Sequence, residues 1–228
     1  MSGIIPLLAR QPIFDRKIQV IAYELLCRNE QFTQSATFDG DAASSEVLLN
    51  AFTEVPIEQV VGKHQAFINF TRKLIESPPA FDADKLVIEV LEGQGVDGDL
   101  LTAIGLLKKQ GYTIALDDFE ITDETRPLIP YADIIKLDVL HLSPPALAEH
   151  VRVLKPSGAI LLAEKIETYE MLEKCLSMGF DLFQGYFLAK PKIITGKKLK
   201  ENHQSVLRLL SALHDPDVSV DTIELFIA

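Results

Sequence analysis

The chain has 228 residues, of which 47% are hydrophobic and 24% charged, with 12 Gly and 12 Pro; this is a globular composition that can bury a large core. A formal net charge of −11 leaves no general footprint for a nucleic-acid polymer, and no apolar run approaches the roughly 18 residues of a membrane-crossing helix. The opening residues do not read as a signal peptide, so Cys27 and Cys175 are expected to be reduced thiols of a cytoplasmic protein.

In chain order, a first strand is expected over residues 7–13. Apolar runs follow over 20–24, 66–69, 86–89, 113–118, 134–136, 160–164 and 181–184. Helical periodicity with a polar start marks 41–55 and 97–110, the latter stopping at Gly111. Residues 143–155 open Ser-Pro-Pro, and 168–178 end at Gly179. Runs such as Leu86-Val87-Ile88 suit strands buried on both faces of a parallel sheet. Eight strands with helices between most of them predict an α/β fold of TIM-like (β/α)8 type, whose active site lies at the C-terminal ends of the strands.

Seven of these runs end in polar groups: Glu24, Asn69, Glu89, Asp117-Asp118, Lys136, Glu164 and Gln184. An ionised group at the end of a buried strand is costly unless it is paired or bound to metal. Seven in register suggest one surface on which they converge. The five His form no His-x3-His pair, so a metal here would be held by oxygen, which favours Mg²⁺ or Mn²⁺ over Zn²⁺.

Past Pro191 the pattern changes. A polar-to-amphipathic helix is expected over 197–213, a break at Asp215-Pro216-Asp217, and a new helix over 220–227. The boundary is placed near 194–197, giving a barrel domain of residues 1–195 and a C-terminal helical extension of residues 196–228.

Gln11-Pro12-Ile13 followed by Glu24-Leu25-Leu26-Cys27-Arg28 resembles the opening of EAL domains, the cyclic di-GMP phosphodiesterases, whose signature is Glu-Ala-Leu-x-Arg. The resemblance continues in order through Ile68-Asn69-Phe70, Glu89-Val90-Leu91-Glu92, Leu116-Asp117-Asp118-Phe119 and Lys136-Leu137-Asp138. It ends with Ala163-Glu164-Lys165-Ile166-Glu167 and Gln184-Gly185-Tyr186 through Pro191, covering roughly residues 4–194. Lys192 to Leu199 resembles the linker of proteins in which an EAL domain precedes an HDOD domain. The remainder then reads as the start of a truncated HDOD-like domain in a shortened piece of a longer protein.

The resemblance implies binding of cyclic di-GMP and its hydrolysis to pGpG with two Mg²⁺ or Mn²⁺ ions. Glu24, Asn69, Glu89 and Asp117 offer hard oxygen ligands, Asp118 can bridge the two metals with Asp117, and Glu164 joins the shell. Lys136 would hold or deprotonate the attacking water, and Gln184 would orient water or substrate. Arg28 would contact a substrate phosphate. Glu92 would anchor the loop after the fifth strand, while Asp138 and Glu167 would lie behind the ligands or on the guanine side. A homodimer and a C-terminal HDOD domain are the implied protein partners; no membrane contact is implied.

Three positions depart from the family pattern. Leu25 replaces Ala, and Lys165 replaces a usual Gly, where it would repel metal or contact phosphate. The loop Asp-Asp-Phe-Gly-Thr-Gly-Tyr-Ser-Ser-Leu becomes Asp117-Asp118-Phe119-Glu120-Ile121-Thr122-Asp123-Glu124-Thr125-Arg126 and onward. With both glycines lost, the loop is expected to be mobile or displaced and Asp118 poorly held. The alternative to a slow enzyme is therefore an inactive cyclic di-GMP sensor or protein-interaction module.

Overall fold

A computed structural model describes residues 6–26, 57–79 and 81–195. The helices expected over 41–55, 197–213 and 220–227, together with Cys27 and Arg28, lie outside the described residues. Pro6–Ile194 forms one compact unit.

The strands are β1 (Pro6–Asp15), β2 (Val20–Leu26), β3 (Gln65–Phe70), β4 (Leu86–Val90), β5 (Thr113–Leu116), β6 (Ile134–Asp138), β7 (Ile160–Glu164), β8 (Leu182–Phe183) and β9 (Lys192–Thr195). From β2 to β8 each strand pairs in parallel with the next. The barrel is closed by β1, which runs antiparallel to both β2 and β8, and β9 bonds to β1 as a ninth strand. The expected eight-stranded barrel therefore forms, with its first strand reversed.

That reversal follows from the connection. Only a tight turn separates β1 from β2, and a parallel crossover needs about a dozen residues. Asp15 builds the turn: its Oδ1 accepts from Lys17 N and Gln19 N, both at 2.8 Å. Ile18 takes φ 59° to complete it.

The other connections carry helices α1 (Ile57–Val61), α2 (Arg72–Glu76), α3 (Gly98–Lys109), α4 (Pro144–Leu154) and α5 (Tyr169–Met178). Between β5 and β6 the described element is only a 3-10 helix, Arg126–Tyr131. Asp97 caps α3 by accepting from Leu100 N at 2.9 Å, and Leu100, Ile104 and Leu107 form its buried stripe. Pro144 opens α4, which buries Leu147, Val151 and Leu154. Thr168 caps α5, and Gly179 ends it at φ 90°.

Strand alternation sorts the core into two. Outward residues such as Ile68, Ile88, Ile135 and Leu161 pack under the helices. Inside, Ile13, Ala22, Phe67, Val87, Ala115, Ile134, Leu162 and Leu182 form one buried cluster, one residue from each of β1 to β8. Leu25, at the position of the family Ala, is absorbed into the outer core.

Candidate active site

Side chains two apart on a strand share a face. Moving two residues from the inner apolar cluster toward the mouth gives Glu24, Asn69, Glu89, Asp117, Lys136, Glu164 and Gln184 on β2 to β8. On the reversed β1 the same step runs backward and gives Gln11, which pairs across from Glu24. The polar layer is therefore a ring of eight. Each of the seven runs expected from the sequence contributes one residue to it; Asp118, the eighth strand-end residue expected, does not belong. Gln11 was not expected at the site; its signal is Gln11-Pro12-Ile13 read against the chain direction. Its Nε2 donates to Ala189 O at 3.2 Å.

Lys136 sits at the focus of the ring with 1% of its side chain exposed. Its Nζ lies 2.5 Å from Asp117 Oδ1, 2.6 Å from Glu89 Oε1, 3.3 Å from Glu164 Oε2 and 3.7 Å from Glu24 Oε1. Burial alone would favour the neutral amine, but Asp117, Glu164, Glu24 and Glu89 hold the ammonium well above the ordinary lysine range. Burial pushes Glu89 well above the usual carboxylate range; Lys136 opposes the shift, while Glu24 and Asp117 add to it. Burial likewise pushes Glu164 up to about 8, against the pull of Lys136 and with the help of Asp117 and Asp118. Gln184 Nε2 donates to Glu24 Oε2 at 2.5 Å.

Gln184 is fixed by a close backbone approach. Its carbonyl accepts from Ile166 N at 3.0 Å, and Phe187 N donates to Ile166 O at 3.1 Å. A Cβ on Gly185, at φ 157°, would lie 2.1 Å from Ile166 O, so only glycine fits there.

Asp118 parts from Asp117. Asp117 continues the inward face of β5, whereas Asp118 takes φ 41° and turns to Lys165, itself at φ 61° on the loop after β7. Lys165 Nζ contacts Asp118 Oδ1 at 2.8 Å and Asp138 Oδ2 at 2.6 Å. Burial works against the Asp118 carboxylate, yet Glu164, Lys165 and Lys136 together hold it below its ordinary range. The expectation of a poorly held Asp118 gives way to an ion-paired one. Lys136 takes the ring carboxylates, and Asp138 is paired with Lys165.

The glycine-free loop has its own hydrogen bonds. Phe119 is buried, and its N donates to Lys136 O at 2.9 Å. Ile121 N donates to His150 Nε2 at 3.1 Å. Thr122 N donates to Thr125 Oγ1 at 2.9 Å, and Thr125 Oγ1 donates to Glu120 O at 2.5 Å. Hydroxyls and one imidazole thus satisfy the backbone where the family uses glycine turns. Glu92 is exposed and lines a cavity beside this loop together with Asp118, Phe119 and Glu120. Glu167 is exposed at the rim of the mouth.

A cavity of about 350 Å³ opens over the ring, within the range of small-ligand sites. Seven buried side-chain oxygens lack a hydrogen-bond partner among the described residues. Five belong to the ring, and of these Glu89 Oε1 is ion-paired to Lys136; Asn69 Oδ1, Glu89 Oε2, Glu164 Oε1 and Gln184 Oε1 are left as four orphaned oxygens. Each such acceptor costs about 1–3 kcal/mol. Among the described residues no three His, Cys, Asp or Glu groups are already gathered as a metal cage; the Lys136 ammonium stands between the carboxylates. The donor set of carboxylate and amide oxygens with orphaned lone pairs nevertheless fits a hard divalent cation.

Residues 32–191 match the family model described as the EAL domain. The chain is 37% identical over 226 residues to the protein YuxH of Bacillus subtilis (strain 168), covering 96% of this chain and 55% of that one. It is 30% identical over 225 residues to CdgJ of Vibrio cholerae, named a cyclic di-GMP phosphodiesterase, covering 96% and 52%. The structure of Klebsiella pneumoniae BlrP1 in complex with manganese and cyclic di-GMP aligns with a TM-score of 0.67 at 25% identity, over 86% of this chain and 58% of that one. The chain spans about half the length of the curated relatives it matches.

Proposed function

The chain belongs to the EAL domain family, and on that premise we propose that it binds cyclic di-GMP and hydrolyses it to linear pGpG. The observation that carries this reading is the ring of inward carboxylates and amides with four orphaned oxygens around one buried lysine, at the mouth of a barrel. The name of CdgJ and the ligands of BlrP1 support the substrate class.

In this reading Glu24, Asn69, Glu89, Asp117 and Glu164 are the residues that hold Mg²⁺ or Mn²⁺, and Asp118 joins them only after release from Lys165. Such ions supply positive charge to the phosphoryl oxygens and lower the pKa of water. Lys136, paired with four ring carboxylates, holds or deprotonates the attacking water. Gln184, locked by Gly185 against the β7 loop, keeps Glu24 oriented through its amide. Arg28 contacts a substrate phosphate, and Asp138 reaches the substrate only after release from Lys165. A cytoplasmic location, a homodimer and a following HDOD domain complete the proposal. The linker-like segment from Lys192 to Leu199 supports the HDOD placement.

A second reading, a sensor that binds cyclic di-GMP without cleaving it, is favoured by one observation: two ammonium groups, Lys136 and Lys165, already hold the carboxylates. Incubation with cyclic di-GMP and Mn²⁺, followed by chromatography of the nucleotides, separates the two. Formation of pGpG that disappears in Glu24→Ala supports the enzyme. Saturable binding with no product supports the sensor, and neither binding nor product overturns both.

A further inference from the structure

We infer that Lys165 supplies, through its side-chain ammonium, the charge of one of the two cation positions, so that the chain takes up a single exchangeable divalent ion at the ring. This rests on the metal-dependent reading above. The acidic groups at the mouth divide into two sets with different degrees of satisfaction. The inner set has Glu24, Glu89, Asp117 and Glu164 around one ammonium, with orphaned oxygens on Glu89, Glu164 and neighbouring Asn69. Four carboxylates against one cation leave both charge and lone pairs for a divalent ion.

The outer set is ion-paired, and its Asp118 also shares a side-chain hydrogen bond with Glu164 of the inner set. Lys165 Nζ touches Asp118 Oδ1 at 2.8 Å and Asp138 Oδ2 at 2.6 Å. Asp138 Oδ1 accepts from Leu140 N at 2.8 Å and His141 N at 3.0 Å. Neither Asp118 nor Asp138 has a buried oxygen without a partner. The backbone is bent to make this contact. Asp118 and Lys165 both sit at positive φ, which non-glycine residues hold only when their surroundings require it. A second divalent ion held between Asp117 and Asp118 would have to displace an ammonium bonded to two carboxylates, and it would face that ammonium at close range if it did not. The family glycine at this place leaves the position free; lysine fills it.

The test counts ions and reads their spacing. The chain is stripped with EDTA, titrated with Mn²⁺ and examined by native mass spectrometry and electron paramagnetic resonance. One Mn²⁺ per chain with an isolated-ion spectrum is expected. Lys165→Gly, whose backbone is relaxed at φ 61°, is expected to take two ions with the spin-coupled spectrum of a pair about 3.5–4 Å apart. Lys165→Met removes the charge while keeping the stem, and it is expected to gain the second ion too. Two coupled ions in the unaltered chain would overturn the inference and leave the metal reading standing. One ion in both variants would overturn the role of Lys165. No Mn²⁺ in any of the three would remove the metal reading and this inference with it.

Discussion

Replacing Lys136 by Met tests the electrostatic account of the ring directly. The side chain is buried, its Nζ is within 4 Å of four carboxylates, and Met preserves its length. Removing the cation leaves buried negative charge uncompensated, which costs roughly 3–5 kcal/mol. A unit of this size loses about 2–4 °C of Tm per kcal/mol, so a fall of about 6–20 °C is expected in EDTA. Mn²⁺ is expected to restore most of the loss, because a divalent ion replaces the missing charge. The pH dependence has a defined sign. Glu164 is pushed up to about 8 in the folded state, so its ionisation penalty is absent near pH 4 and grows as pH rises toward 8. The parent's own stability therefore falls between pH 5 and pH 8, and without Lys136, which opposes the shift, the fall in the variant is at least as large. The assay is a circular-dichroism melt of both proteins at the two pH values, with EDTA or Mn²⁺. A variant melting within about 2 °C of the parent in EDTA at pH 8 would refute the picture of Lys136 as the counter-charge of the ring.

Three further outcomes are expected. Glu24→Ala abolishes pGpG formation while the melt in EDTA changes by no more than about 4 °C, because it removes one ring carboxylate and no core contact; retained turnover would contradict the ligand assignment. Gly185→Ala places a Cβ 2.1 Å from Ile166 O and is expected to cost at least about 3 kcal/mol, read as a lowered urea midpoint, with Gln184 displaced from Glu24. His150→Ala frees Ile121 N and is expected to cost about 1 kcal/mol, with faster hydrogen exchange confined to residues 119–125; unchanged exchange there would show that the threonine contacts alone hold the loop.

The sequence by itself determined the eight barrel strands, the helices beginning near residues 98, 144 and 169, and seven of the eight ring residues. These are local facts. A buried strand needs an apolar run, a helix needs its cap and stripe, and a period of two puts the residue beyond an inward Phe67 or Val87 on the same inward face. The tertiary structure decided what depends on closure. Gln11 joins the ring because the Asp15 turn is too short for a parallel crossover, so β1 enters the barrel reversed and its polar residue comes before its apolar one. Asp117 and Asp118 are adjacent and chemically alike, yet one faces Lys136 and the other Lys165; the positive φ that separates them arises only where β5 ends against its neighbours. Lys165 read in the sequence as a charge that would repel metal or contact phosphate, because its partner depends on which carboxylates lie within 3 Å. Asp118 and Asp138 come from different strand ends, 47 and 27 residues away, and only the closed barrel brings them to it.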